Sequence, residues 1–439
     1  MRAFWMGVVL AACGSRSEPC DCPDGFGVQL DSQCACLVPL AVPDDPAFST
    51  TFHVDADATG GTGSLDDPWP RADWDAIDAA LQDGDVHVVY DPTDVWDERL
   101  DVHRTDTGPG RVVLDGGGAP QRATVPGVHT GYDAVARHRV TVRGFDITGS
   151  RDKGVYWVGG DGVVIEDNLI HANRGSPAVT LEYSRRTGLV SRDFVVRNNH
   201  VYDQVGECVY IGGAEGADEP SHVGVRIENN LVHGCRDPFD TRHDGINIKD
   251  RLTDVVVRRN VVVGGDWGFE LASQGTYSGN ISIDADREGF HVSDGFQALP
   301  DVQLLDNVSI GAGDEGMQLT ADRATTGRLT VVGLTVAGSD AGVAVGGSFD
   351  VDAVLDEVAV VGSGVAFDGW GQGPVQVVSC ASDTGTTDHA RQFEGTDACA
   401  RLDAVDLSRP AGADGVFFTP DDPWIIAGGA QLERGAQSP

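Results

Sequence analysis

The chain has 439 residues, a formal net charge of -37 and 41% hydrophobic residues. Such a charge repels nucleic acid and anionic membrane surfaces, and the hydrophobic content is too high for wholesale disorder. The 58 glycines and scarce lysines argue against a helical protein. The plainest meaning of the acid excess is a solubilising exterior. An acidic polysaccharide could approach such a surface only where a metal ion or a local basic patch intervened.

Residues 1–13 are MRAFWMGVVLAAC. Arg2 precedes an apolar run, Phe4 to Ala12, that is too short to span a bilayer. Leu10-Ala11-Ala12-Cys13 resembles a bacterial lipoprotein signal, in which the cysteine is lipidated and becomes the first mature residue. The alternative is an ordinary cleaved secretion signal. Both imply export, as an outer-membrane or cell-surface lipoprotein touching the membrane through its lipid alone, or as a secreted protein. No other segment is apolar enough to cross a membrane.

Export agrees with the cysteines. There are nine, and setting Cys13 aside leaves eight, an even number. Residues 14–48 form a Cys-rich segment with Cys20, Cys22, Cys34 and Cys36 in a C-x-C…C-x-C cluster. In a cytosolic protein this cluster would suggest zinc; in an oxidising compartment it predicts two disulfides of open connectivity. Cys208 with Cys235, and Cys380 with Cys399, make two further sets.

Next comes FHVDADATGGTGSLDDPWPRADWDAIDAAL: a strand, a Gly-rich turn, then a short amphipathic helix. Asp73 is its expected N-cap, and Trp74, Ile77 and Leu81 share one face. This stretch resembles the entry region of pectate-lyase-like β-helix proteins, where a helix shields the first coil. A repeat then runs through the chain: VVIEDNLIHAN, FVVRNNHVYDQ, VRIENNLVHGC, VVVRRNVVVGG, YSGNISIDAD and VQLLDNVSIGA. Its asparagines are Asn168, Asn199, Asn230, Asn260, Asn280 and Asn307, 20 to 31 residues apart.

Three short strands per repeat describe an all-β fold, a right-handed parallel β-helix solenoid, over residues 49–405. A propeller needs four strands over a longer period, and neither propeller nor sandwich explains the asparagine column. Each asparagine amide is expected to bond its counterpart one coil away and to occupy the left-handed bend at the corner. Residues 406–439 break the period and are expected to cap the last coil. The whole chain is expected to be a monomer.

Strand alternation assigns side chains to faces. In the Gly-apolar-x-apolar strand the inward pairs run from Val155 and Trp157 to Met317 and Leu319. The outward file reads Tyr156, Thr180, Tyr210, Asn247, Glu270, His291, Gln318, Ala344 and Ala366. A neighbouring file reads Val158, Glu182, Gly212, Lys249, Ala272, Ser293 and Thr320. Polar and aromatic residues over the middle coils suit a sugar groove lined by Tyr156, Glu182, Tyr210, Asn247 and Gln318; a plain solvated face is the alternative. The coil entering Lys249 takes fifteen residues from Asn230 to Gly245, where its neighbours take about nine. That loop, and long insertions at YSRRTGLVSRD and GGAEGADEPSH, would stand beside the groove. Cys208, expected to point outward, would pin the loop through Cys235.

Three motifs here are similar to those of the family-nine pectate lyases: Asp244-Gly245-Ile246-Asn247-Ile248-Lys249, Asp266-Trp267-Gly268-Phe269-Glu270 and Gly289-Phe290-His291. The resemblance spans about fifty residues. It implies that Asp244, Asp266 and Glu270 bind Ca2+, and that His291 stands where the family has its lysine base. Three departures are evident: Trp267 replaces a carboxylate, Glu270 an aspartate and His291 a lysine. The implied chemistry is β-elimination on a uronic-acid polysaccharide, with Lys249 or calcium stabilising the developing charge. A uronan epimerase, with Tyr210 or His243 as proton donor, a non-catalytic glycan-binding or structural surface protein, and a glycoside hydrolase using Glu182 and Glu270 remain the alternatives.

Overall fold

The computed structural model describes residues 19–419 apart from 23–24, 31–32, 43–44, 46, 105–108, 131–136, 183–189, 213–220, 237–242, 250, 294–300, 322–326, 348–351, 370–374, 384–392, 396–398, 402–409 and 412–414. The expected signal with Cys13, most of the three insertions beside the groove, and the tail beyond 419 lie outside the described residues. Among the described residues no helix is long and apolar enough to cross a membrane.

The chain winds through three long parallel sheets of 14, 12 and 11 strands. One coil shows the order: Val140–Arg143 in the 14-stranded sheet, Asp146–Thr148 in the 12-stranded sheet, Val155–Val158 in the 11-stranded sheet. Strands of two to seven residues alternate with bends, which is what short Val/Ile runs punctuated by Gly, Asn and Asp dictate. Four coils add a short strand each, from Gly160–Asp161 to Leu252–Thr253, making a small fourth sheet that the three-strand repeat did not predict.

The asparagines form one continuous ladder. Nδ2 of Asn168, Asn199, Asn230, Asn260 and Asn280 donates to Oδ1 of the next, at 3.1, 3.0, 2.9, 3.0 and 3.0 Å. Each Oδ1 also receives the backbone N–H of the preceding ladder asparagine, as from Asn199 to Asn230 at 3.0 Å. The same Nδ2 groups reach carbonyls inside the solenoid, such as Val196 and Ile227. The expectation of a left-handed bend at these residues is corrected by one position. Positive φ falls on the residue before each: Asp167, Asn198, Asn229, Arg259, Gly279 and Asp306, at 53–59°. A ladder asparagine must keep its side chain inside the coil, so the left-handed bend passes to the residue before it.

Inside, Val, Ile, Leu and Phe from all three sheets form one cluster running the length of the coils. Phe269 and Phe290 stack from adjacent coils at 4.9 Å, 8° from parallel. The helix Trp74–Ala80 forms as expected, with Asp73 accepting from the N–H groups of Asp75 and Ala76. Ile77 and Leu81 join the core beside Val86 and Val88.

Cys208 and Cys235 are bonded to each other. Cys208, however, does not point outward. Both residues are buried in the central cluster, so the bond joins two sheets through the core. The inward-facing file runs one residue further back than alternation alone predicted, because Cys208 stands where neighbouring coils have Gly245 and Gly268. Cys380 pairs with Cys399.

The Cys-rich segment folds as an antiparallel hairpin, Phe26–Leu30 with Gln33–Leu37, closed by Cys20–Cys34 and Cys22–Cys36. It lies against the outer face of the 12-stranded sheet, where Phe26, Val28 and Leu37 pack with Leu231, Val261 and Ile281. Asn198 and Asn229, two of the positive-φ residues, bind the backbone of Leu40 and Val38. Residues 415–417 join this hairpin: the Cys36 N–H donates to the Gly415 carbonyl at 2.7 Å, and the Phe417 N–H to that of Cys36 at 2.9 Å. Ala411 and Phe417 complete its apolar cluster. The described part of the C-terminal tail, including Ala411 and residues 415–417, covers a solenoid face with the N-terminal hairpin, and most of the segment expected to cap the last coil lies outside the described residues. The apolar side chains it needs to bury find their partners on that face.

Asn230→Ala should be among the most damaging single changes to stability. It removes the acceptor for both the N–H and the Nδ2 of Asn199 and leaves the Val196 carbonyl without its donor. A loss of about 3–5 kcal/mol is expected, measured by thermal or denaturant unfolding. A change below about 1 kcal/mol would show that the ladder merely accompanies the fold.

Candidate functional site

The 11-stranded sheet carries the candidate site. All seven predicted inward pairs, from Val155 and Trp157 to Met317 and Leu319, are buried. Parallel register places Tyr156, Thr180, Tyr210, Asn247, Glu270, His291, Gln318 and Ala344 side by side on the opposite face, as expected. The next member is Asp368, paired with Ala344; Ala366 lies in the core. The file thus ends on a carboxylate, Asp368, where Ala366 was expected. Lys249 and Glu182 occupy the adjacent file, together with Ser293, which pairs with Thr320.

Sequence reasoning named Asp244 and Trp267 but missed that they belong to a third file, two residues before the first inward residue of each coil: Glu207, Asp244, Trp267, Glu288 and Glu315. The signal was available, since these residues stand two positions before the first apolar residue of each strand in the repeat. These side chains meet those of the strand. Asn247 Nδ2 donates to Asp244 Oδ2 at 2.7 Å and to Glu207 Oε1 at 2.8 Å. Trp267 stacks on His291 at 4.2 Å, 7° from parallel.

The centre of the face is a set of charge pairs. Lys249 Nζ donates to Glu270 Oε2 at 2.5 Å and lies 5.9 Å from the Tyr210 ring centre. Arg287 shares its guanidinium among Glu288 (3.1 Å), Asp314 (3.5 Å) and Asp266 (3.8 Å), above the Trp267 ring. His243 faces Asp286 at 3.5 Å, and this contact raises its pKa. His291 Nε2 is 3.2 Å from the Thr320 hydroxyl.

Burial dominates the protonation states. It lowers the pKa of His291 to about 4, so the imidazole is neutral at pH 7. It raises Asp244 well above the usual carboxylate range, with Glu270 and Glu207 adding to the rise. Glu288 is pushed up to about 7 by burial, against the pull of Arg287. The face therefore offers the Lys249 side chain, a neutral imidazole, and one carboxyl group, Glu288, able to hold a proton near neutrality.

The expected residues are only partly brought together. Lys249, Tyr210, Asn247, Glu270, His291 and Gln318 occupy neighbouring coils. Tyr156 and Glu182 lie toward the N-terminal end, engaged with Lys153 at 4.3 and 3.1 Å. Glu182 and Glu270 are three strands apart, roughly 14 Å at 4.8 Å per coil, beyond the spacing of a glycosidase pair.

The carboxylate oxygens of Asp244, Asp266 and Glu270, the calcium ligands that the resemblance implies, do not all lie within 4.8 Å of one another. Each carboxylate faces its own donor: Asn247, Arg287 and Lys249 respectively. Among the described residues, the carboxylate trio with oxygens within 4.8 Å of one another is Glu288, Asp314 and Glu315. Trp267 stands at the motif position where the resemblance implies a further carboxylate, and Lys249 pairs with Glu270.

The His291 shift has a testable sign. Its native pKa of about 4 lies below the unfolded value near 6.5, so the unfolded chain binds more protons between these limits. The contribution to stability is full above about pH 6.5 and is lost as pH falls toward 4. His291→Gln should flatten the pH dependence of unfolding across this window, by up to about 3 kcal/mol. An unchanged slope in denaturant titrations would refute the assignment.

Residues 126–262 match the family model described as "Right handed beta helix region". No curated protein sequence matches the chain. Among solved structures, pectate lyase Pel9A aligns at 15% identity and a TM-score of 0.45, over 86% of this chain and 89% of that one. The catalytic unit of a GH87 alpha-1,3-glucanase from Streptomyces thermodiastaticus aligns at 16% identity and 0.45, over 82% and 71%. An alginate lyase from Paenibacillus sp. aligns at 15% identity and 0.36, over 64% and 94%. Parallel three-sheet winding and the matched segment together make this chain a right-handed parallel β-helix.

Proposed function

We propose that the chain binds an acidic polysaccharide across the middle coils and cleaves it by β-elimination. The observation that supports this most is that the Lys249 ammonium and the neutral His291 imidazole share one face, two coils apart with Glu270 between them. A uronate residue needs a cation at its C6 carboxylate and a base at C5. Lys249 meets the carboxylate, exchanging Glu270 for it. His291 accepts the C5 proton, the C4–O bond breaks, a C4–C5 double bond forms, and the departing oxygen takes up a proton. Tyr210 and Gln318 flank these groups and position the sugar. The step as written uses the side chains of this chain alone.

The decisive assay incubates the exported protein with a panel of uronic-acid polymers and follows absorbance of unsaturated products. Lys249→Met and His291→Gln should each lower kcat/KM by about 100-fold or more. Inverted residues without chain scission would replace the lyase with an epimerase. Retention on a polymer without any product would leave a glycan-binding protein.

We further propose that the chain is exported and anchored through Cys13 to the outer membrane or cell surface. Four disulfides support an oxidising compartment. Mass spectrometry of the mature N-terminus should find a diacylglycerol-modified Cys13. A free, unmodified terminus elsewhere would make the protein simply secreted.

A further inference from the structure

The carboxylates that do converge lie further along the face than the set implied by the resemblance. Glu288 precedes Gly289 on one coil, and Asp314 and Glu315 precede Gly316 on the next. The pairing of Phe290 with Met317 sets them side by side, each with an oxygen within 4.8 Å of the others. An acidic cluster means little by itself on so acidic a chain. Glu288 supplies the second observation. Its side chain is fully buried, Oε1 accepts from Arg287, and Oε2 receives no donor among the described residues. A buried carboxylate oxygen without a donor is costly unless a charge meets it.

We propose that Glu288, Asp314 and Glu315 form a calcium site, with Glu288 as the buried ligand and Asp314 at the solvent-facing rim. An all-carboxylate set selects a hard cation, and calcium accepts irregular geometry with mono- or bidentate carboxylates and completes its shell with water. Arg287 is the group that must yield. It is half-exposed and already touches Asp266 and the Trp267 ring, so it has a place to remain once Glu288 and Asp314 turn to the ion. The ion would tie the coil bearing His291 to the next. The site is distinct from the lyase reading and holds whether or not that reaction occurs.

The test titrates CaCl2 into the chelator-treated full chain by calorimetry and follows thermal unfolding. One site is expected, with Kd in the range of about 10⁻⁶–10⁻³ M, and a rise in Tm on the order of 2–4 °C at saturation. Asp314→Asn, at an exposed position, should fold normally and weaken binding at least tenfold, as should Glu315→Gln. Asp244→Asn should bind as the unaltered chain does. Absence of both heat and Tm shift would overturn the proposal. So would unaltered affinity in Asp314→Asn and Glu315→Gln, or a loss of binding confined to Asp244→Asn.

Discussion

Parallel stacking with a fixed register is the constraint on which the rest depends. Each coil is too small to bury its own apolar side chains, and it becomes stable only by sharing a core with its neighbours. The asparagine ladder holds that register from Asn168 to Asn307 through side-chain and backbone bonds at every step. A slip of one residue would turn each apolar pair outward and break the ladder in the same movement. The positive-φ residue before each asparagine then projects from the corner, and two of these, Asn198 and Asn229, bind the N-terminal segment.

The same stacking creates an electrostatic problem. Equivalent positions on successive coils lie about 4.8 Å apart, so like charges in one file repel strongly. The site face answers this locally. Asn247 donates to both Glu207 and Asp244; Trp267 separates that acidic pair from Glu288 and Glu315; Lys249 and Arg287 reach across files. Burial nonetheless raises the pKa values of Asp244, Asp266, Glu288 and Glu315. Protonation of Glu288 near neutrality and a neutral imidazole both follow from placing these residues in a stacked, buried file, and together with Lys249 they give the face its capacity for proton transfer.

The hairpin closed by two disulfides and the returning segment around Phe417 follow another logic. They cover one outer face of the solenoid, and their cluster is separate from the central core. Residues far apart in sequence meet there, as Cys36 does with Gly415 and Phe417. Neither end carries a periodic signal, so their association could not be read from pattern. The same holds for Cys208: alternation predicts in or out within a strand, but Cys208 sits just before one, at a bend.

Sequence alone determined the solenoid, the ladder, the inward and outward faces of each strand, and the file from Tyr156 to Ala344. These follow from periodicity, because a repeated local pattern in a stacked fold repeats in space. Only the tertiary structure decided which carboxylates meet. Asp244, Asp266 and Glu270 match a motif, yet each meets its own donor, while Glu288, Asp314 and Glu315 converge without belonging to it. Burial, too, was decided there: the outward file is largely shielded from solvent, and that desolvation sets the pKa values of His291, Asp244 and Glu288. Convergence of side chains and loss of water depend on the coils above and below, which no single stretch of sequence contains.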